Sequence, residues 1–382
     1  MAQRTPGDLV VTVLFAVLLL VPAALALGGY ARFDAGLIES VELRHPFVAP
    51  PPSNGTIATG GWQRDAEREI ADAFPLRRQL IEGYDRAMYL GLHDVPSPHV
   101  IGGRDGWLFL GDDERWYLTG TRTLNDAQLA SLADVYGVRA DWCRRRGIRY
   151  VFLLAPNKST IYPEYLPRGL RRELPTIADR LLPLFRARGI AVADPRAVLA
   201  AAARSTAETY SKGDTHWNDR GAFAAYGVLL DTIRGSHVRD PLPRGRSIRQ
   251  ADEGGDLLRL ASIEGLVANT VTHIDFVHRA RETAVPRYPG DAHADAFDAT
   301  VDAIDDPALP AAVVFGDSFS SGLRPFLAEN FRRTVLLRYR GVPGVQFDTA
   351  VIEAERPNVV IQELAERSLV FGDEFTADVS AR

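Results

Sequence analysis

"AAVVFGDSFSSGLRPFLAENF" occupies residues 311–331. Its first six residues form a short, continuous apolar run closed by Gly316, the pattern of a strand buried on both faces. The stretch from Ser320 onward, "SSGLRPFLAENF", reads as a helix. Strand, tight turn and helix in that order are half of a βαβ unit. Similar apolar runs stand at "RYVFLLA" (149–155), "IAVA" (190–193), "TVLLRY" (334–339) and "NVVIQEL" (358–364). Helical segments fall between them, at 174–188, 196–204, 219–234, 321–332 and 347–356. This alternation predicts a doubly wound α/β sandwich. Residues 236–300, polar and without clear period, read as an irregular insertion of loops and short strands.

In open parallel sheets ligands bind beyond the carboxyl ends of the strands. Gly316-Asp317-Ser318-Phe319 is such an end. A serine there meets free N–H groups and the positive end of a helix dipole, which favour a developing oxyanion. Gly316 allows close backbone approach. The plainer reading is that Asp317 or Ser318 is a helix cap.

A second stretch bears on the choice. "GDTHWNDRG" (213–221) sets an acid and a histidine two positions apart. In an extended segment such residues share a face, so Asp214 can reach the His216 ring. A helix is expected to begin near Asn218 and to bury Phe223, Tyr226, Leu230 and Ile233. Here too capping is the plain reading, with Asn218 or Asp219 starting that helix. Asp214, His216 and Ser318 together hold the parts of a catalytic triad. A neutral imidazole takes the serine proton, and a carboxylate sets its tautomer and stabilises the imidazolium. The order Asp, His, Ser carries no penalty, because triads recur in several orders. With glycine on one side only, the Ser318 turn is not the G-x-S-x-G elbow of α/β-hydrolases.

With 382 residues the chain has ample material for a core. A net charge of −5 gives no basic footprint for nucleic acid. One cysteine, Cys143, excludes an internal disulfide and a cysteine-based metal site, and reads as a helix-borne bystander. No H-x-x-x-H pair is present, and His45, His93, His99, His237, His273, His278 and His293 read as surface or loop residues. No metal and no cofactor is expected. Asn157 and Lys158, at the end of "RYVFLLA", are candidate substrate contacts; a loop capped by Asn157 with a solvated Lys158 is the alternative.

Leu9 to Leu27 is almost wholly apolar and long enough to cross a bilayer. It exceeds the length of a signal-peptide core, which favours an uncleaved signal anchor over a cleaved signal ending near Ala24-Leu25-Ala26. Either way the rest is exported. The expected organisation is a cytoplasmic stub (1–8), a transmembrane anchor (9–28), a spacer (29–60), a catalytic domain (61–372) and a tail (373–382).

Seven stretches, in order, resemble the alginate O-acetyltransferase AlgX/AlgJ family: "FPLRRQLIEGYDRAMYLGL", "SPHVIGGRDGWLFL", "APNKSTIYPEYLP", "GDTHWNDRGAFAAY", "GGDLLRL", "VVFGDSFSSGLRPFLAENF" and "RPNVVIQELAERSL". The resemblance runs from about Ala73 to Leu369. It implies an SGNH-hydrolase-like domain, a flavodoxin-like three-layer α/β/α sandwich with a mostly parallel sheet. It also implies that Ser318 is acylated, that His216 is general base and acid, and that Asp214 orients it. The implied setting is a single-pass protein of the cytoplasmic membrane with its catalytic domain outside. There it acetylates an exported or cell-surface polysaccharide, its acetyl groups supplied by a polytopic membrane-bound O-acyltransferase partner. The single anchor is similar to the AlgJ arrangement, and no carbohydrate-binding module of the AlgX type follows "AERSL". Two other readings stay open: an acetylesterase using the same triad, and a non-catalytic polysaccharide-binding component of an export complex.

Overall fold

The computed structural model describes residues 6–30, 34–170, 172–205, 208–233, 246–288, 297–339 and 347–375. His237, His293 and parts of the expected stub, spacer, insertion and tail lie outside these. The chain divides into two compact units, Met1–His99 with Leu258–Val267, and Val100–Leu257 with Ala268–Arg382.

The first unit is helical. Leu9–Gly29 is long and apolar enough to cross a membrane by length and composition. Helices Gly61–Asp72 and Arg77–Leu92 follow. Arginine–carboxylate pairs tie the unit together: Arg44 on Asp72, Arg77 on Glu42 and Arg78 on Asp34. Arg86 donates to the carbonyls of Ser262 and Glu264.

The second unit is an α/β fold on a mixed sheet. Strands β1 (Val100–Gly102) and β2 (Leu108–Leu110) form an antiparallel hairpin around Gly103-Arg104-Asp105-Gly106. The large sheet uses β3 (Arg149–Ala155), β4 (Ala191–Ala193), β7 (Arg281–Thr283), β8 (Phe297–Ala303), β9 (Ala311–Gly316), β10 (Arg333–Tyr339) and β11 (Val359–Ala365). Its order is β4-β3-β11-β9-β10-β8-β7. The first four pairings are parallel, and β10–β8 and β8–β7 are antiparallel. β5 (Ser247–Asp252) and β6 (Thr270–Asp275) make a separate antiparallel pair.

All five strands read as buried apolar runs lie side by side in this sheet. The residues assigned to an irregular insertion differ: they supply two strands of the sheet's edge as well as short elements. β8, "FDATVDA", hides because acids alternate with apolar residues. Ion pairs make that strand tenable, Arg324 on Asp302 and Arg338 on Asp298.

Alternation along the strands separates two cores. Val151, Leu153, Val314 and Ile361 face one, against Tyr226, Leu229 and Leu230 of helix Asp219–Ile233 and Leu323 and Leu327 of helix Ser320–Ala328. Phe152, Leu154, Val313 and Phe315 face the other, against Leu132 and Tyr136 of helix Asp126–Arg145 and Leu181 and Phe185 of helix Ile177–Ala187. Cys143 is buried there, and burial pushes its thiol up to about 12.

Candidate active site

β9 ends at Gly316, and the chain turns at once into helix Ser320–Ala328. A Cβ at position 316 would lie 2.7 Å from Glu363 Oε2 and 2.7 Å from Ser320 Cβ, so only glycine fits. Asp317 braces the turn. Its Oδ1 accepts the Phe319 N–H at 3.0 Å and its Oδ2 accepts the Ala365 N–H at 2.7 Å. The Asp317 N–H donates to Glu363 Oε2 at 3.0 Å, and the Ser320 hydroxyl donates to the Asp317 carbonyl at 2.6 Å. Glu363 is fully buried, and burial, reinforced by the Asp317 charge, pushes its carboxyl well above the usual range.

The Ser318 hydroxyl points across to the loop that carries His216. It lies 2.8 Å from His216 Nε2. On the far side of the ring, His216 Nδ1 lies 2.9 Å from Asp214 Oδ1. Burial raises the Asp214 carboxyl, but the His216 hydrogen bond, its charge and backbone N–H donors outweigh that and hold it at about 2. An ionised carboxylate only accepts, so Nδ1 carries the hydrogen and Nε2 accepts from Ser318.

The acid–histidine pair does not sit in an extended segment, as its spacing suggests. Residues 214–216 form a bend in which Asp214 Oδ1 also accepts the His216 backbone N–H at 2.9 Å. That is an Asx turn, and it aims the carboxylate at the ring two residues on. Helix capping is left to Asn218, whose Oδ1 accepts the Gly221 N–H. Trp217 locks the two halves: its Nε1–H donates to the Phe319 carbonyl at 3.2 Å and its ring stands edge-on to Phe319.

Lys158 is buried, not solvated. Its ammonium donates to the carbonyls of Ser211, Lys212 and Asp214, at 3.1, 3.0 and 2.6 Å. Burial lowers it to about 8, against the pull of Asp256, Asp214 and Glu114. Asn157 is buried as well; its Oδ1 accepts the Arg367 N–H, while its Nδ2 has no partner among the described residues. Glu366 fixes this turn from below, accepting from the Asn157 N–H, the Thr160 hydroxyl and the Tyr117 hydroxyl.

Sequence reading assigned no role to Asp256, Glu363, Glu366 or Arg367. Their only signal was membership of "GGDLLRL" and "QELAERSL". Asp214, His216 and Asp256 bring ligand-type atoms within 4.8 Å of one another. Both oxygens of Asp214 and one of Asp256 already accept N–H donors, so this cluster is built as a hydrogen-bonded brace.

Residues 100–366 match the family described as an SGNH hydrolase-like domain, acetyltransferase AlgX. The chain belongs to this family. Among the AlgX-family relatives, the probable alginate O-acetylase AlgJ of Pseudomonas aeruginosa is 28% identical over 255 residues, covering 66% of this chain and 62% of the relative. The protein of the same description from Pseudomonas putida is 29% identical over 273 residues, covering 70% and 66%. The chain thus spans somewhat under two thirds of the length of these relatives. Bacillus cereus PatB1, solved with a sulfonyl adduct, shares the fold with a TM-score of 0.50 and 17% identity, covering 72% of this chain and 99% of PatB1.

Proposed function

We propose that the chain is an extracytoplasmic O-acetyltransferase that acetylates hydroxyls of an exported or cell-surface polysaccharide through an acetyl-Ser318 intermediate. Family membership supports the reaction class. One observation carries the assignment of residues: the Ser318 hydroxyl and the Asp214 carboxylate meet opposite nitrogens of the His216 ring, at 2.8 and 2.9 Å.

His216 Nε2 takes the Ser318 proton as Oγ bonds to the acetyl carbonyl carbon. The tetrahedral intermediate collapses, and His216 returns the proton to the departing alcohol. A sugar hydroxyl then enters, gives its proton to His216 and attacks the acetyl-serine; on collapse the Oγ–acetyl bond breaks, His216 returns the proton to Ser318 Oγ, and the acetate ester stays on the sugar. Asp214 holds the tautomer and stabilises the imidazolium in both halves. The amides of Phe319, Ser320, Ser321 and Gly322 are spent on Asp317, Ser318 and Phe319, so the Ser318 N–H is the proposed donor to the developing oxyanion. Of the two candidate substrate contacts, Lys158 is spent on carbonyls, and only Asn157 has a donor left over.

The helix Leu9–Gly29 supports a single-pass anchor in the cytoplasmic membrane, with residues 29–60 as spacer. A membrane-bound O-acyltransferase is the proposed acetyl source. We read the scaffold as a flavodoxin-like three-layer sandwich, mostly parallel, supported by the apolar clusters on both sheet faces.

Mass spectrometry after treatment with a small acetyl ester tests this reading. One acetyl adduct on Ser318, absent from Ser318→Ala together with turnover, is the expected result. Undiminished turnover in Ser318→Ala overturns it. Adding an acceptor oligosaccharide separates transfer from hydrolysis: acetylated sugar supports the transferase, and free acetate alone makes the protein an esterase.

A further inference from the structure

Asp256 stands outside the three-residue chain but meets the same imidazole. Its Oδ2 lies 3.6 Å from His216 Nδ1, beside the Asp214 oxygen at 2.9 Å. Its Oδ1 accepts the Thr215 N–H and the Leu257 N–H, each at 2.7 Å. Its own N–H donates to Asp214 Oδ2 at 3.2 Å. The Leu257 N–H reaches the Gly213 carbonyl at 3.2 Å, and a Cβ at Gly255 would overlap that same carbonyl. Residues 255–257 therefore clasp 213–215 through backbone contacts that leave no room for a side chain at 255.

We infer that Asp256 is a positioning residue for the acid–base pair: its backbone N–H holds the Asp214 carboxylate, and its own carboxylate sets a second negative charge beside His216 Nδ1 that stabilises the imidazolium. The inference rests on the proposed roles of Asp214, His216 and Ser318. Asp214 Oδ1 is fixed by His216; its other oxygen is fixed by the Asp256 N–H, so the carboxylate cannot swing away from the ring. The second negative charge lies close enough to stabilise the imidazolium directly.

The groups facing His216 are Asp214 from its own bend, Asp256 from the clasp, Ser318 from the β9 turn and the Phe319 ring, centred 4.9 Å away. Behind Asp256 act two cations, Lys158 and Arg367, each coupled to its charge.

The test is Asp256→Asn in the full chain. Its amide oxygen can keep both backbone N–H donors, so shape is retained and the charge is lost. We expect the acid limb of kcat/KM for a small acetyl ester to move down by about one pH unit. The plateau should fall roughly tenfold. Asp214→Asn should keep a residual activity that Asp214→Asn/Asp256→Asn loses. A merely structural Asp256 leaves the acid limb in place. An unshifted limb with kcat/KM within about twofold, and a double variant equal to Asp214→Asn, overturns the inference. If Asp256→Asn does not fold, Asp256→Ser, which also keeps an oxygen acceptor without the charge, is read against the same expectations. Ser318→Ala separates the two levels: inactive Ser318→Ala beside a wild-type Asp256→Asn refutes only the role of Asp256, whereas active Ser318→Ala refutes the triad on which it rests.

Discussion

The proposed nucleophile and its proposed base are held in different ways. Ser318 rides on a turn between β9 and its following helix, fixed by Gly316, Asp317 and Glu363 within a span set by the sheet. Asp214 and His216 sit in a loop that is itself neither strand nor helix. Side chains and backbone groups from elsewhere fasten it: Lys158 from the end of β3, Asn269 on the Gly213 N–H, Asp256 on Asp214 and Trp217 across to Phe319. Topology places the serine, and polar tertiary contacts place the histidine. The first holder should break sharply and the second by degrees.

Gly316→Ala gives the largest expected effect. The added methyl meets the buried Glu363 carboxyl on one side and Ser320 on the other, each at 2.7 Å, and neither has free space to retreat into. Overpacking of this kind destabilises by about 1–3 kcal/mol. A displacement of the turn by even about 1 Å removes on the order of 100-fold in rate. We expect kcat/KM to fall by about that factor and the urea midpoint to drop with it. Full activity in this variant would show that the turn yields, and would erase the contrast.

The same contrast explains what could be read beforehand. Buried parallel strands announce themselves as apolar runs, so β3, β4, β9, β10 and β11 were legible, and with β9 came the serine turn. Asp214 and His216 were legible as a pair, because their contact is local, but the bend that joins them was not. An Asx turn and a short extended stretch both accept Asp-Thr-His. Asp256 was illegible for a different reason: it lies about forty residues on, and "GGDLLRL" carries no period or spacing that points at His216. β8 was lost because Asp298 and Asp302 look like loop residues until Arg338 and Arg324 are placed beside them. Contacts that depend on tertiary pairing leave no local pattern to read.

Lys158→Met is the intermediate case. It keeps length and burial but removes the donor from three carbonyls of the 211–214 loop. The loop keeps Asn269, Asp256 and Trp217, so we expect kcat/KM to fall by roughly tenfold, without collapse of the fold. Stability carries a separate signature. Burial holds the Lys158 ammonium at about 8, below its free value of 10.5. Between these pH values the unfolded chain binds more protons than the folded one, so this group's contribution to stability rises with pH across the window. Urea unfolding at pH 8 and pH 10 should show that rise in the wild type and a smaller one in Lys158→Met. Parallel pH profiles in the two proteins would mean that the lysine is not desolvated as its three carbonyl contacts imply.

Asn218→Ala carries the smallest expected effect on chemistry and sharpens the comparison furthest. Asn218 is two residues from His216 and caps helix Asp219–Ile233 through the Gly221 N–H, while its Nδ2 donates to the Glu208 carbonyl. Loss of an N-cap of this type destabilises by about 0.5–2 kcal/mol. None of its hydrogen bonds reaches the imidazole, the Asp214 carboxylate or Ser318. If polar contacts from outside the helix fix the loop, the helix can lose its cap while the acid–base pair keeps its place. The urea midpoint should therefore fall while kcat/KM stays within about twofold. A loss of activity as large as that of Lys158→Met would mean that the helix, and not the clasp, positions His216, and both ends of the site would then be held by secondary structure.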